Sequence, residues 1–105
     1  MIRHIVLMRF KKNASETEIA NLLAKLGQLR KPIPQILSFS GGICTSPENL
    51  HQGFVHGFTM DFANDTDRDI YLKHPQHKEV AEKDIVPLLE DGYNSVVVFD
   101  YQLPE

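Results

Sequence analysis

The sequence predicts an α+β domain in which a four-stranded antiparallel sheet carries helices on one face. Three observations predict it. Ile2 to Phe10 alternates, with Ile2, His4, Val6, Met8 and Phe10 on one face and Arg3, Ile5, Leu7 and Arg9 on the other. Phe54, His56, Phe58, Met60 and Phe62 repeat that period opposite Val55, Gly57, Thr59 and Asp61. Amphipathic helical stretches separate the strand-like ones, and the order reads β-α-β-β-α-β.

Each element carries its own signals. Ser15, with Glu18 three residues on, is a capping box. Ile19, Leu22, Leu23, Leu26 and Leu29 then form one apolar stripe. Lys31-Pro32 stops the helix, because a residue before proline is pushed out of helical geometry; the first helix is predicted over 15–30. Gln35 to Thr45 reads as a strand, and Gly41-Gly42 inside it signals a bulge or a close backbone approach. A polar loop covers 46–52. Asn64 and the aspartates after it start a second helix. His74-Pro75 breaks that helix, and proline suits the first position of a new one. Asp91-Gly92 is a turn, and Tyr93 to Tyr101 is a strongly β-prone last strand. This is the split βαβ order of ferredoxin-like folds, with helices on one sheet face.

Composition narrows the function classes. The 105 residues suit a single domain spanning 1–105, with 42% apolar and 24% charged residues. The net charge is −3 and no basic run is present, so nucleic acid is not an expected partner. No apolar stretch reaches the ~20 residues that span a membrane. The single cysteine, Cys44, permits no internal disulfide and suits a reducing compartment, so a cytoplasmic location is expected. The first and last strands are apolar on both faces, as with Ile5 and Leu7 opposite Val6 and Met8, and Val97 and Phe99 opposite Val96 and Val98. Helices cover only one face. A second sheet packed on the other, in a homodimer, would remove a large exposed patch.

Segments across the chain resemble the stress-responsive A/B barrel domain family of the dimeric α/β-barrel superfamily. They are Ile2 to Phe10, Val55 to Phe62, Tyr71-Leu72-Lys73-His74-Pro75-Gln76-His77, and Val98-Phe99-Asp100-Tyr101. The tyrosine followed by His-Pro-x-His is the most specific of these. The resemblance implies the fold and a dimer. Its members include plant stress proteins, uncharacterised bacterial proteins and a plant polyketide cyclase. The cyclase sets a first-strand histidine, a third-strand histidine, a tyrosine and the second histidine of the His-Pro-x-His element around a pocket between sheet and helices. The matching positions here are His4, His56, Tyr71 and His77, all of the same residue type. Phe54, Phe58, Met60 and the 46–52 loop depart from the cyclase where a pocket would be shaped.

These residue types can do acid–base chemistry without a cofactor. A neutral imidazole is a general base near pH 7, and a phenol can donate to a developing enolate oxygen. Tyr71 and His77 would lie about 240° apart on a continuous helix, but the break at Pro75 can bring them together. The positive end of the second helical segment would favour uncharged His77. His77 is then the candidate base that removes a proton from a carbon flanked by carbonyls, with Tyr71, His4 and His56 orienting oxygens, in a lyase or cyclase acting on a small carbonyl compound.

Structural readings stand beside this one. His4 and His56 suit hydrogen-bonded core or interface positions. Tyr71 suits packing, and His77 a cap after the helix break. The histidine spacings match no strong zinc signature, so no metal is expected. The aspartates from Asp61 to Asp69 suit a solvated helix start better than a calcium loop. Two alternatives to the cyclase follow: a non-catalytic dimer for stress protection or small apolar ligands, and, ranked lower, a cofactor-independent monooxygenase.

Overall fold

The computed structural model describes residues 1–104. The strands are β1 (Ile2–Met8), β2 (Ser38–Ile43), β3 (His56–Phe62) and β4 (Val96–Gln102). The helices are α1 (Glu16–Gln28), α2 (Asp65–Lys73) and α3 (Pro75–Val80). The sheet order is β2-β3-β1-β4, every pair antiparallel. Met8 lies opposite both His56 and Val96, and His4 opposite both Met60 and Asp100.

The helices cover one face of this sheet, as the alternation requires. Val6, Met8, Phe58, Met60 and Phe62 point into the core, where Leu22 and Leu26 of α1 meet them. The capping box forms in full: Ser15 Oγ accepts from the Glu18 backbone at 3.0 Å, and Glu18 accepts from the Ser15 backbone at 3.0 Å. At the helix break, His74 is at once the C-cap of α2 and the N-cap of α3, and Pro75 opens α3.

All four strands begin or end elsewhere than the sequence predicts, and α1 spans Glu16–Gln28 rather than 15–30. The first strand stops at Met8, because Arg9 turns to bond the far loop: its N–H donates to the Ser95 carbonyl at 2.9 Å and its carbonyl accepts from Glu90. Phe10 keeps only an isolated bridge to Leu89. The second strand starts at Ser38 and the third at His56. The last begins at Val96, since 92–95 winds into a 3₁₀ turn after Gly92 takes a φ of +50°. No bulge interrupts β2: Gly41 and Gly42 pair regularly with Phe58 and Gly57. The glycine signal there marks close approach, since a Cβ on Gly41 would sit 2.9 Å from Phe58 Cβ and 3.0 Å from the Gly57 carbonyl. After α3 the chain continues as a π-helical turn (81–85) and a 3₁₀ turn (86–88) that carries Pro87. No described helix is long and apolar enough to cross a membrane.

Candidate functional site

A cavity of about 230 Å³ lies between the sheet and the segment from α2 to the π-helical turn. His4 and Val6 of β1, Tyr71 and His77 around the helix break, Ile85 and Tyr93 are among its lining residues. Alternation places His4 on the helix side of β1, where it is 3% exposed. The break at His74-Pro75 redirects the chain so that the Tyr71 and His77 rings lie 4.3 Å apart, centroid to centroid. On its other side Tyr71 meets the His4 ring edge-on at 5.8 Å. One phenol thus sits between two imidazoles.

Each imidazole has one nitrogen committed. His4 Nδ1 is 2.7 Å from Asp100 Oδ1, the residue directly opposite it on β4. Arg68 of α2 holds the other Asp100 oxygen, Nη1 to Oδ2 at 3.4 Å. His77 Nδ1 is 3.1 Å from the Leu72 carbonyl, which can only accept. The neutral His77 ring therefore carries its proton on Nδ1 and leaves Nε2 with a free lone pair. For His4, Asp100 likewise fixes Nδ1–H and leaves Nε2 as the nitrogen for a cavity occupant.

Burial dominates the electrostatics. It pushes the His77 imidazole below its ordinary value, outweighing the opposite pull of the Leu72 carbonyl, and nearby His4, Lys78 and His74 act in the same direction as burial. The direction is the one expected from the sequence, but the main cause is desolvation, not the end of a helix. Burial also raises the Tyr71 phenol well above its usual range, so it is a neutral donor at neutral pH. Among the described residues the Tyr71 hydroxyl has no hydrogen-bond partner, and its ring lines the cavity.

His56 lies apart from this cluster. It stands at the start of β3 on the helix side of the sheet, where its ring packs on the Phe10 ring at 5.3 Å, away from the cavity. Desolvation lowers its affinity for a proton as well. The structure thus brings together three of the four candidate residues. Asp100 and Arg68 received no role from the sequence. A signal existed: Asp100 is an acid within the otherwise apolar Val96 to Phe99 stretch and its continuation, but only the β1–β4 register shows that it faces His4. Among the described residues no three His, Cys, Asp or Glu side chains gather closely enough to hold a metal ion.

The chain is 31% identical to the stress-response A/B barrel domain-containing protein HS1 of Arabidopsis thaliana over 101 residues, which is 96% of this chain and 88% of that one. It is similar in structure to a hydroxynitrile lyase from Passiflora edulis, with a TM-score of 0.85 at 27% identity, covering 99% of this chain and 94% of the other. A dimeric ferredoxin-like protein from Jannaschia sp. CCS1 shares the fold, with a TM-score of 0.86 at 22% identity and coverage of 97% and 98%. The model of the stress responsive A/B barrel domain matches residues 2–103. With the ferredoxin-like topology and the tyrosine and His-Pro-x-His element at the cavity, the chain belongs to the stress responsive A/B barrel domain family.

Proposed function

We propose that this protein is a cofactor-free lyase or cyclase acting on a small carbonyl compound, with His77 as its general base. The observation that carries the reading is the convergence of Tyr71, His4 and His77 on one apolar cavity, with the His77 proton held on the far nitrogen by Leu72. In the ring-closing form, His77 Nε2 takes a proton from a carbon flanked by carbonyls. The Tyr71 hydroxyl donates to the enolate oxygen as charge develops there, and His4, its Nδ1–H held by Asp100, packs edge-on against the Tyr71 ring. The carbon then bonds to a second carbonyl carbon, whose oxygen recovers the proton from His77. In the cleaving form, which the hydroxynitrile lyase neighbour supports, His77 takes the hydroxyl proton, the carbon–carbon bond breaks, and cyanide leaves with the electron pair and receives that proton. Asp100, steadied by Arg68, is a positioning residue for His4. His56 has no part in this reading.

The test is turnover of mandelonitrile and of short open-chain triketones, followed by NMR. The expected result is turnover by the wild type and a loss of about 10²–10⁴-fold in His77→Ala. Full activity in that variant removes His77 from the mechanism. No turnover of any compound favours a second reading, a non-catalytic protein that holds a small apolar ligand. Its support is that both imidazoles already bond to protein atoms and that, apart from them and two tyrosines, the cavity lining is apolar.

The same proposal includes a homodimer through the outer sheet face. Leu7, Val97, Phe99 and Tyr101 stand exposed there, and Phe99 is 61% accessible. Burial of such a patch stabilises by roughly 25 cal/mol per Å², and a dimeric neighbour with this fold supports the arrangement.

A further inference from the structure

The cavity is graded from end to end. His4, Tyr71, Met8 and Phe58 form its deep wall and are buried. Its outer wall is different: Val98 is 58% exposed and Tyr93 is 69% exposed, although both line the same space. The polar groups therefore lie inside and the apolar rim outside. An occupant bound with its polar head at the deep wall would leave its apolar tail against the rim.

We infer that Tyr93 is the residue that sets the length of that tail, and that the protein takes compact carbonyl compounds with one ring or a short branched chain. The inference rests on the function proposed above. Size supports it: at the interior packing density of about 0.75, a cavity of about 230 Å³ holds roughly one six-membered ring with a short arm. The mounting of Tyr93 supports it too. The side chain follows Gly92, which has a φ of +50° and open space around it. The turn is anchored at its far end by Ser95, fully buried, whose Oγ accepts from the Asp91 backbone at 2.8 Å. An aromatic ring on a pinned turn, at the open side of a pocket, is a wall with a fixed base. Ala81 and Ile85 of the π-helical turn close the cavity elsewhere with side chains no larger than a ring, so removing the Tyr93 ring lengthens the space outward.

The experiment titrates the protein with acetophenone and with 4-butylacetophenone, following the imidazole resonances of His4 and His77. In the wild type, acetophenone binds more tightly than its butyl homologue. In Tyr93→Ala the ratio of the two affinities shifts by about tenfold or more toward the longer ketone, the scale of discrimination that a few methylenes give in an apolar pocket. Tyr93→Phe keeps the wild-type order, because the ring and not the hydroxyl is the wall. An unchanged ratio in Tyr93→Ala, with both ketones still bound, overturns the role of Tyr93 and leaves the proposed function standing. Absence of any shift at His4 and His77 with either ketone in the wild type overturns both.

Discussion

The two faces of the sheet are built from the same kinds of side chain and end in opposite conditions. On the inner face Met8, Met60 and Phe62 are fully buried under the helices, and His4 is admitted there only with Asp100 as its partner. On the outer face Leu7, Val97 and Phe99 are exposed around one bidentate ion pair, Arg3 with Asp61 at 2.9 and 3.0 Å. That pair holds the Asp61 carboxyl below its ordinary value, chiefly through the Arg3 hydrogen bonds. The two faces show that apolar character in a strand does not by itself say what covers it. The helices supply the cover on one side, and on the other a second copy of the chain is the proposed cover.

The comparison can be broken most sharply at a pair of phenylalanines. Phe62→Ala on the inner face is expected to cost about 3–5 kcal/mol in chemical denaturation, the range for emptying a packed aromatic site. Phe99→Asp on the outer face is expected to shift sedimentation from dimer to monomer and to abolish the concentration dependence of unfolding. A monomeric wild type would end the account of the outer face. A finer contrast lies in adjacent glycines. Gly41→Ala forces a methyl group against Phe58 and the Gly57 carbonyl, and about 1–3 kcal/mol is expected to be lost. Gly42→Ala meets nothing within 4 Å and should leave the fold's stability within about 0.5 kcal/mol. Equal losses at both positions would mean that the two faces are equally filled.

The smallest expected effect is on pH. Desolvation sets the His77 and His56 imidazoles below their ordinary value of 6.5 in the folded protein. Between that lower value and 6.5 the unfolded chain binds more protons, so stability falls as pH drops through this window and is fully present above it. Melting temperatures across that range should decline toward acid, and His77→Gln should flatten part of the decline. A slope of the opposite sign would contradict the burial of these rings. Asp61 acts in a separate window: its lowered value gives stability that is present above the ordinary carboxylate range and is lost only in stronger acid.

Much of the molecule was legible from residue order alone, because its signals are local. The Ser15 and Glu18 capping box, the Asn64 cap and the Pro75 restart are decided within a few residues, where hydrogen-bond geometry leaves few options. Alternation in β1 and β3 assigned the inner face for the same reason, since successive side chains must point to opposite sides. Strand ends were less legible. Arg9 and Tyr93 lie in β-prone runs, yet hydrogen bonds to distant segments draw Arg9 out of the sheet and a turn takes Tyr93. The site divides in the same way. His4, Tyr71 and His77 were visible as residue types around a helix break, but their meeting at one cavity, the separation of His56 and the pairing of His4 with Asp100 depend on register and on packing between elements far apart in the chain. Short-range sterics and hydrogen bonding write themselves into sequence; contacts across 96 positions, as between His4 and Asp100, are decided only when the strands align.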